Sequence, residues 1–285
     1  MWEGMIVCII LMGIICLLVT ALDCNRFVTV FYKIKSDKIT NPCRMVLLSD
    51  LHNKSFGRDN ERLLLKIDEL APDEILVAGD MLTATAGHDY SPALMLTQKL
   101  AGKYRIHYGM GNHEYRLGLY PEQYPGMYEG YLTGLKAAGI VPLLNERTYL
   151  PALHMDVCGV QIDRQYYKHF HKKPMEAGYL TKLLGEPRED AFQILIAHNP
   201  VYFQEYARWG ADLVVSGHVH GGIMRLPVFG GVLSPSLTLF PKYDGGRFSE
   251  GKSTMILSRG LGTHTIPLRV FNPGELVVID FKPDK

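Results

Sequence analysis

Two kinds of hydrophobic pattern run along this chain. The first is one uninterrupted apolar stretch, MIVCIILMGIICLLVTAL, Met5 to Leu22. It carries no charge and approaches the roughly 20 residues that an α-helix needs to cross a bilayer. The second is a set of short β-branched or leucine-rich runs, each ending abruptly in acidic, amide or imidazole residues. Five can be quoted: MVLLSDLH (Met45 to His52), EILVAGD (Glu74 to Asp80), IHYGMGNHE (Ile106 to Glu114), QILIAHN (Gln193 to Asn199) and DLVVSGHVHGG (Asp212 to Gly222). Runs this short and apolar suit strands covered on both faces, as in an α/β sheet. Between the first two, RDNERLLLKIDEL (Arg58 to Leu70) repeats its leucines and isoleucine at helical spacing with charges opposite. Further helices are expected after Ser91-Pro92, near Gly126 to Ala138 and over Val201 to Trp209. Further strands are expected over Thr254 to Ser258 and Leu276 to Asp280.

Composition adds bounds to this pattern. With 285 residues, 47% apolar and 21% charged, the chain can bury one large core and carry an appendage. A formal charge of +1 offers no field for a nucleic-acid backbone, so no nucleic-acid polymer is expected as a partner. Of five cysteines, Cys8, Cys16 and Cys24 lie in or beside the apolar run, and the spacing of Cys43 and Cys158 suggests neither zinc nor a disulfide framework. The run is read as an anchor rather than a cleaved signal: it starts Met1-Trp2-Glu3 with no positive n-region and exits through Leu22-Asp23. Arg26, Lys33, Lys35, Lys38 and Arg44 follow it, and only Glu3 and the free amine precede it. The positive-inside rule then favours a cytoplasmic body on a single-pass membrane protein. The expected organisation is an anchor over 1–24, a juxtamembrane linker over 25–42 and a folded domain over 43–285.

If the five blocks are strands, their polar tails emerge at strand C-terminal ends, where α/β sheets build their sites. The candidate set is Asp50, His52, Asp80, Asn112, His113, His198, His218 and His220, all oxygen or nitrogen donors and none a thiol. In an extended segment residues i and i+2 point the same way, so Asp50 and His52 are expected to share a cavity, as are His218 and His220. A single histidine at a strand end is commonly a turn residue, and His88, His107, His154, His169, His171 and His264 are read as solvated-loop background. Mixed imidazole, carboxylate and amide ligation suits Mn²⁺, Zn²⁺ or Fe. More candidates than one ion requires point to two divalent ions sharing a bridge at Asp80. Such a pair serves phosphoryl chemistry by clamping the phosphate and acidifying a water.

The ordered set D-x-H, G-D, G-N-H-E, H-N-P and G-H-x-H-G-G resembles the calcineurin-like metallophosphoesterases, over nearly all of the chain from about Arg44. The resemblance implies a sandwich of two mixed β-sheets flanked by helices. It implies one metal, Mn²⁺ foremost, held by Asp50, His52, Asp80 and His220, and a second held by Asp80, Asn112, His198 and His218. His113 would face the substrate phosphate, stabilise its charge and protonate the departing oxygen. GDMLTATAG departs from the acidic-arginine stretch of the superfamily's protein phosphatases. SGHVHGGIMRLP, YDGGRF and SRGLGTHTIPLR look like its small membrane-associated phosphodiesterases, including relatives acting on lipid A precursors, although Ile223 stands where a glutamine often follows the glycine pair. The expected function is hydrolysis of phosphodiester or pyrophosphate bonds, in a phosphorylated small molecule or a lipid head group. A soluble-nucleotide phosphodiesterase and a non-catalytic metal- or phosphate-binding scaffold are the alternatives, and the completeness of the candidate ligands weighs against the scaffold. Arg164, Tyr166, Tyr167, Lys168, His169, His171, Lys172 and Lys173 could cap the crevice or form a solvated loop. Arg259 and Arg269 could reach a phosphate or pin a loop.

Overall fold

In a computed structural model, which describes residues 2–167, 173–226, 230–233, 239–263 and 267–284, the apolar runs become strands of two packed sheets. In chain order the first elements are α1 (Trp2–Asp23), β1 (Phe27–Ser36), β2 (Cys43–Leu48), α2 (Glu61–Leu70), β3 (Glu74–Ala78), α3 (Ser91–Ala101), β4 (Arg105–Gly109), α4 (Asn112–Leu119) and α5 (Met127–Ala137). There follow β5 (Glu146–Leu150), β6 (Met155–Val160), α6 (Tyr179–Leu184), β7 (Phe192–Ala197), α7 (Phe203–Trp209), β8 (Leu213–Ser216), β9 (Met224–Leu226), β10 (Gly230–Leu233), β11 (Gly246–Glu250), β12 (Ser253–Leu257) and β13 (Gly274–Pro283). The first sheet has the order β1-β13-β2-β3-β4 and the second β11-β12-β8-β7-β6-β5. The motif-bearing strands are parallel neighbours, β2, β3 and β4 in one sheet and β7 and β8 in the other. Antiparallel pairs such as β13 with β2 and β5 with β6 make both sheets mixed.

Alternation along β2 shows how the layers are sealed. Met45 and Leu47 point between the sheets, where Leu76, Ala78, Ile194, Val215 and Val277 meet them. Val46 and Leu48 point the other way, onto Leu63 and Ile67 of α2 and Leu96 of α3. On the outer face of the second sheet, Leu195 and Val214 pack against Tyr202, Phe203 and Tyr206. A strand buried on both faces has few polar positions until it ends, so the candidate chemistry gathers at its ends. This is the helix-flanked sandwich expected above.

Helix α1 is long and apolar enough to cross a membrane, and its apolar window has no buried residue. The segment expected as a linker departs from the reading. Residues 27–36 form β1, which pairs in parallel with β13 from Phe27 opposite Gly274 to Ser36 opposite Pro283. FVTVFYKIKS alternates apolar and polar positions along part of its length, which suits an edge strand with one covered face, and its partner lies at the other end of the chain. The folded body therefore begins within a few residues of the helix.

Candidate metal centre

The polar tails of the strands meet at one end of the sandwich. Asp50 and His52 follow β2, Asp80 follows β3, Asn112 and His113 follow β4, His198 follows β7, and His218 and His220 follow β8. Backbone bonds join neighbouring tails, with Asp50 N–H donating to Gly79 O at 3.0 Å and Gly217 N–H to His198 O at 3.1 Å. The two sheets are joined across the site as well, because His218 N–H donates to the Asp50 carboxylate at 3.0 Å and 3.1 Å. Gly217 passes so close to Ser49 and Asp50 that a Cβ there would overlap both side chains.

Convergence does not come from extended backbone. Asp50, His52, Asp80, His218 and His220 have φ of 50°, 48°, 53°, 76° and 52°, all in the left-handed region. Asp50 and His52 do fall in one group of candidate donors, whereas His218 and His220 fall in two different groups, and the backbone that aims them is a series of tight turns rather than an extended segment. Each such non-glycine residue costs on the order of 1–3 kcal/mol, and strain of this kind concentrates at functional sites.

Three groups of candidate donors result, each with its atoms within 4.8 Å of one another: Asp50, His52 and His220; His52, Asp80 and His113; Asp80, His198 and His218. Asp80 and His52 each belong to two of them. His52 Nε2 faces His220 Nε2 at 3.1 Å, and His220 Nε2 lies 3.5 Å from Asp50 Oδ1. His198 Nδ1 donates to Ala78 O at 2.6 Å, which turns Nε2 toward Asp80 Oδ2 at 3.0 Å. Asn112 opens α4, and its Oδ1 is buried with no hydrogen-bond partner among the described residues. His113 N–H donates to Asp80 Oδ1 at 2.8 Å, while its ring Nδ1 accepts from Ala84 N–H at 2.8 Å. With Nδ1 used as an acceptor, the proton of the neutral ring sits on Nε2.

Glu114, quoted in the G-N-H-E run but given no role there, holds this side together. Its Oε2 accepts from Asp80 N–H at 2.9 Å and Gly111 N–H at 3.0 Å, and its Oε1 from Met81 N–H at 2.8 Å. The turn can close this tightly because Gly79, at φ 86°, lies against Gly111, where a Cβ on either would overlap the other loop. Sequence pattern assigns no role to Ser49 or Thr83 either, yet Ser49 Oγ donates to Asp50 Oδ2 at 2.6 Å, and Thr83 Oγ1 meets His52 Nδ1 at 3.2 Å. Only the folded loops bring them to ligand candidates.

The electrostatics are those of a site short of positive charge. Burial pushes Asp50 up to about 6, with the Asp80 charge adding to it and His198 opposing. Burial also disfavours the Asp80 anion, but His198, His113 and His52 around it hold it well below the usual carboxylate range. Burial alone would lower His198, yet Asp80 and Asp50 raise it to about 10. A proton on His198 therefore balances the carboxylates wherever a cation does not. Buried carboxylates, imidazoles turned by their second nitrogens and an orphaned amide oxygen form a donor set that fits divalent ions such as Mn²⁺, Zn²⁺ or Fe. No cysteine belongs to the three groups among the described residues.

The family described as calcineurin-like phosphoesterase matches residues 43–222, from the start of β2 to the glycine pair after His220. The chain belongs to the calcineurin-like phosphoesterase family. An uncharacterized metallophosphoesterase of Helicobacter pylori is 27% identical over 252 residues, covering 87% of this chain and 62% of the relative. A Danio rerio protein named as a transmembrane protein with metallophosphoesterase domain is 27% identical over 251 residues, covering 85% of this chain and 54% of that protein. The chain thus spans between 54% and 62% of the length of these two relatives. Among solved structures, a Thermus thermophilus protein aligns at a TM-score of 0.47 and 12% identity, over 76% of this chain and 89% of the other. A dimetal phosphatase from Danio rerio aligns at 0.43 and 12%, over 77% and 88%. The family match stops short of β12, β13 and β11, which complete both sheets.

The remaining sequence candidates separate cleanly. Tyr167 reaches the site, its ring edge-on to His218 with centroids 5.5 Å apart. Tyr166 is buried in the core beneath it, Arg164 lies over the Tyr120 ring at 5.0 Å, and Lys173 bonds Gln165 at 2.7 Å. Lys168, His169, His171, Lys172 and His264 lie outside the described residues. Arg259 pairs with Glu275, and Arg269 is buried among backbone carbonyls, so both pin loops. His107 is not a loop residue: it is buried in β4 and bonds Glu74 at 2.9 Å. His154 bonds Tyr149 at 2.7 Å, and His88 is exposed.

Proposed function

We propose that this chain is a membrane-anchored di-metal phosphoesterase that hydrolyses phosphodiester or pyrophosphate bonds, with lipid head groups as substrates. The observation that carries the reading is the convergence of Asp50, His52, Asp80, His198, His218 and His220 from both sheets on overlapping donor groups, with His113 beside them. In this reading Asp50, His52, Asp80 and His220 hold one ion and Asp80, Asn112, His198 and His218 the other, Mn²⁺ being the best fit. The ions would polarise the phosphoryl group and acidify an attacking water.

The chain's own groups do the rest. His113, kept in the Nε2–H tautomer by the Ala84 N–H bond, donates its hydrogen bond to the oxygen that gains charge as the ester bond breaks. Tyr167 borders the crevice at His218 and limits the pose of the phosphate substituent. One feature supports the lipid reading. The apolar helix ends at Asp23, whose side chain bonds Asn272, and Asn272 bonds the His220 loop, so the site lies close behind the foot of the helix. The basic residues that follow α1 favour a cytoplasmic body.

The test is hydrolysis of a chromogenic phosphodiester by the full chain in detergent, after chelation and after return of Mn²⁺, with a diacyl pyrophosphate lipid and a soluble nucleotide in parallel. Metal-dependent turnover that prefers the lipid is expected. Turnover of the nucleotide alone refutes the lipid substrate, and none on any ester with metal bound refutes the enzyme. A fragment starting near Asn41 is unsuitable, since it removes β1 from beside β13.

A further inference from the structure

Behind the turn that carries His218 and His220 lies a polar network outside the candidate ligands. Asp23 is the buried residue of α1, at 1% exposure, on a helix otherwise open along its length. Its Oδ1 accepts from Arg26 Nε at 2.9 Å and Nη2 at 2.7 Å. Its Oδ2 accepts from Asn272 N–H at 2.8 Å. The side chain of Asn272, fully buried, then spends its amide hydrogens on the metal loop: Nδ2 donates to His220 O at 2.8 Å and to Gly222 O at 2.6 Å.

Two features single this residue out. Asn272 Oδ1 is buried with no hydrogen-bond partner among the described residues. The NH₂ end of the amide, rather than its oxygen, faces the loop, so Asn272 acts on it as a donor. The second is the strain it spans. His220 holds φ 52°, a left-handed conformation that is costly for a residue with a Cβ, and Gly221 and Gly222 continue the turn at 71° and 86°, which glycine adopts freely. Asn272 grips the carbonyls on both sides of Gly221, and a Cβ on Gly221 would come within 2.8 Å of its Oδ1. Asn272 is itself held from behind, because Arg269 Nη1 donates to its carbonyl at 3.1 Å.

We propose that Asn272 is a positioning residue of the metal centre, which fixes the His220 to Gly222 backbone and so aims the His218 and His220 rings. Asp23 extends that support to the foot of the apolar helix. This rests on the two-ion reading above. Its chemistry is specific: the loop presents carbonyl oxygens, which only a donor can hold, and an aspartate of the same shape would set its oxygens against them.

The experiment uses the full chain in detergent with three variants, Asn272→Asp, Asp23→Ala and Asp23→Asn. Mn²⁺ binding is measured by titration calorimetry, the coupling of the two ions by electron paramagnetic resonance, and folding of the metal-free protein by thermal melting. Asn272→Asp should weaken binding of at least one ion about 10- to 100-fold, the usual range for a lost support behind a ligand. Asp23→Ala should weaken it less, and Asp23→Asn, which keeps an acceptor for Asn272 N–H, should restore it. A purely structural role would lower the melting temperature and leave the affinity of the folded protein unchanged. Wild-type Mn²⁺ affinity in folded Asn272→Asp overturns the proposal. If that variant does not fold, Asp23→Ala decides, and unchanged affinity there overturns it. A wild-type chain that takes up no Mn²⁺ overturns the two-ion reading instead.

Discussion

On the first-sheet side, the loops of Asp80 and Asn112 close around a carboxylate: Glu114 accepts the N–H groups of Asp80, Met81 and Gly111. On the second-sheet side, the loop of His218 and His220 closes around an amide, and Asn272 donates to the carbonyls of His220 and Gly222. The two clamps have opposite polarity because the turns present opposite ends of the peptide to the interior. They also differ in reach. Glu114 sits two positions from Asn112 inside one motif, while Asn272 is 52 positions from His220. A motif can therefore carry its own support on one side of a site and borrow it from a distant segment on the other.

Removing the group common to both sides should have the largest effect. Asp80→Ala takes a carboxylate from two of the donor groups and removes the nearer carboxylate from His198 Nε2. Bound metal, measured by elemental analysis, should fall and turnover should vanish; a fully active variant would refute the bridging role. His113→Ala tests the first side without touching the proposed ligands. It should keep its metal and lose about 10² to 10⁴-fold in rate, read from kcat on a phosphodiester.

Glu114→Ala breaks the first clamp alone. Three buried N–H groups lose their acceptor at roughly 1 kcal/mol or more each, so denaturant unfolding of the metal-free protein should show a loss of about 3 kcal/mol. Smallest is the effect of pH. His198 is raised to about 10 by Asp80 and Asp50, so it carries a proton at neutral pH that a bound cation must displace. Mn²⁺ affinity should rise with pH, by up to about tenfold per unit for one proton released, when calorimetric titrations at pH 6.5 and 8.5 are compared. A flat profile would mean that metal binding releases no proton from His198.

Much of the site is legible in the sequence because it is compressed into five runs. Buried strands leave little room for polar residues until they end, His107 within β4 being an exception, so Asp50, His52, Asp80, Asn112, His113, His198, His218 and His220 announce themselves by position. Glu114 is visible but mute, since its role lies in three backbone N–H groups that only a folded turn aims at one carboxylate. β1 is hidden because its ladder partner is β13, more than two hundred residues away, and the adjacent basic residues make it read as a tether.

The apolar helix, the strands that carry the motifs and the identity of the candidate donors could all be read from short windows of the chain, because each follows from local composition and period. That the candidate donors converge through left-handed turns, that His113 offers Nε2–H, and that Asp23 and Asn272 stand behind His220 emerges only once the chain is folded. Those outcomes depend on pairing between segments far apart in the chain, and local pattern carries no record of which distant backbone will supply the partner.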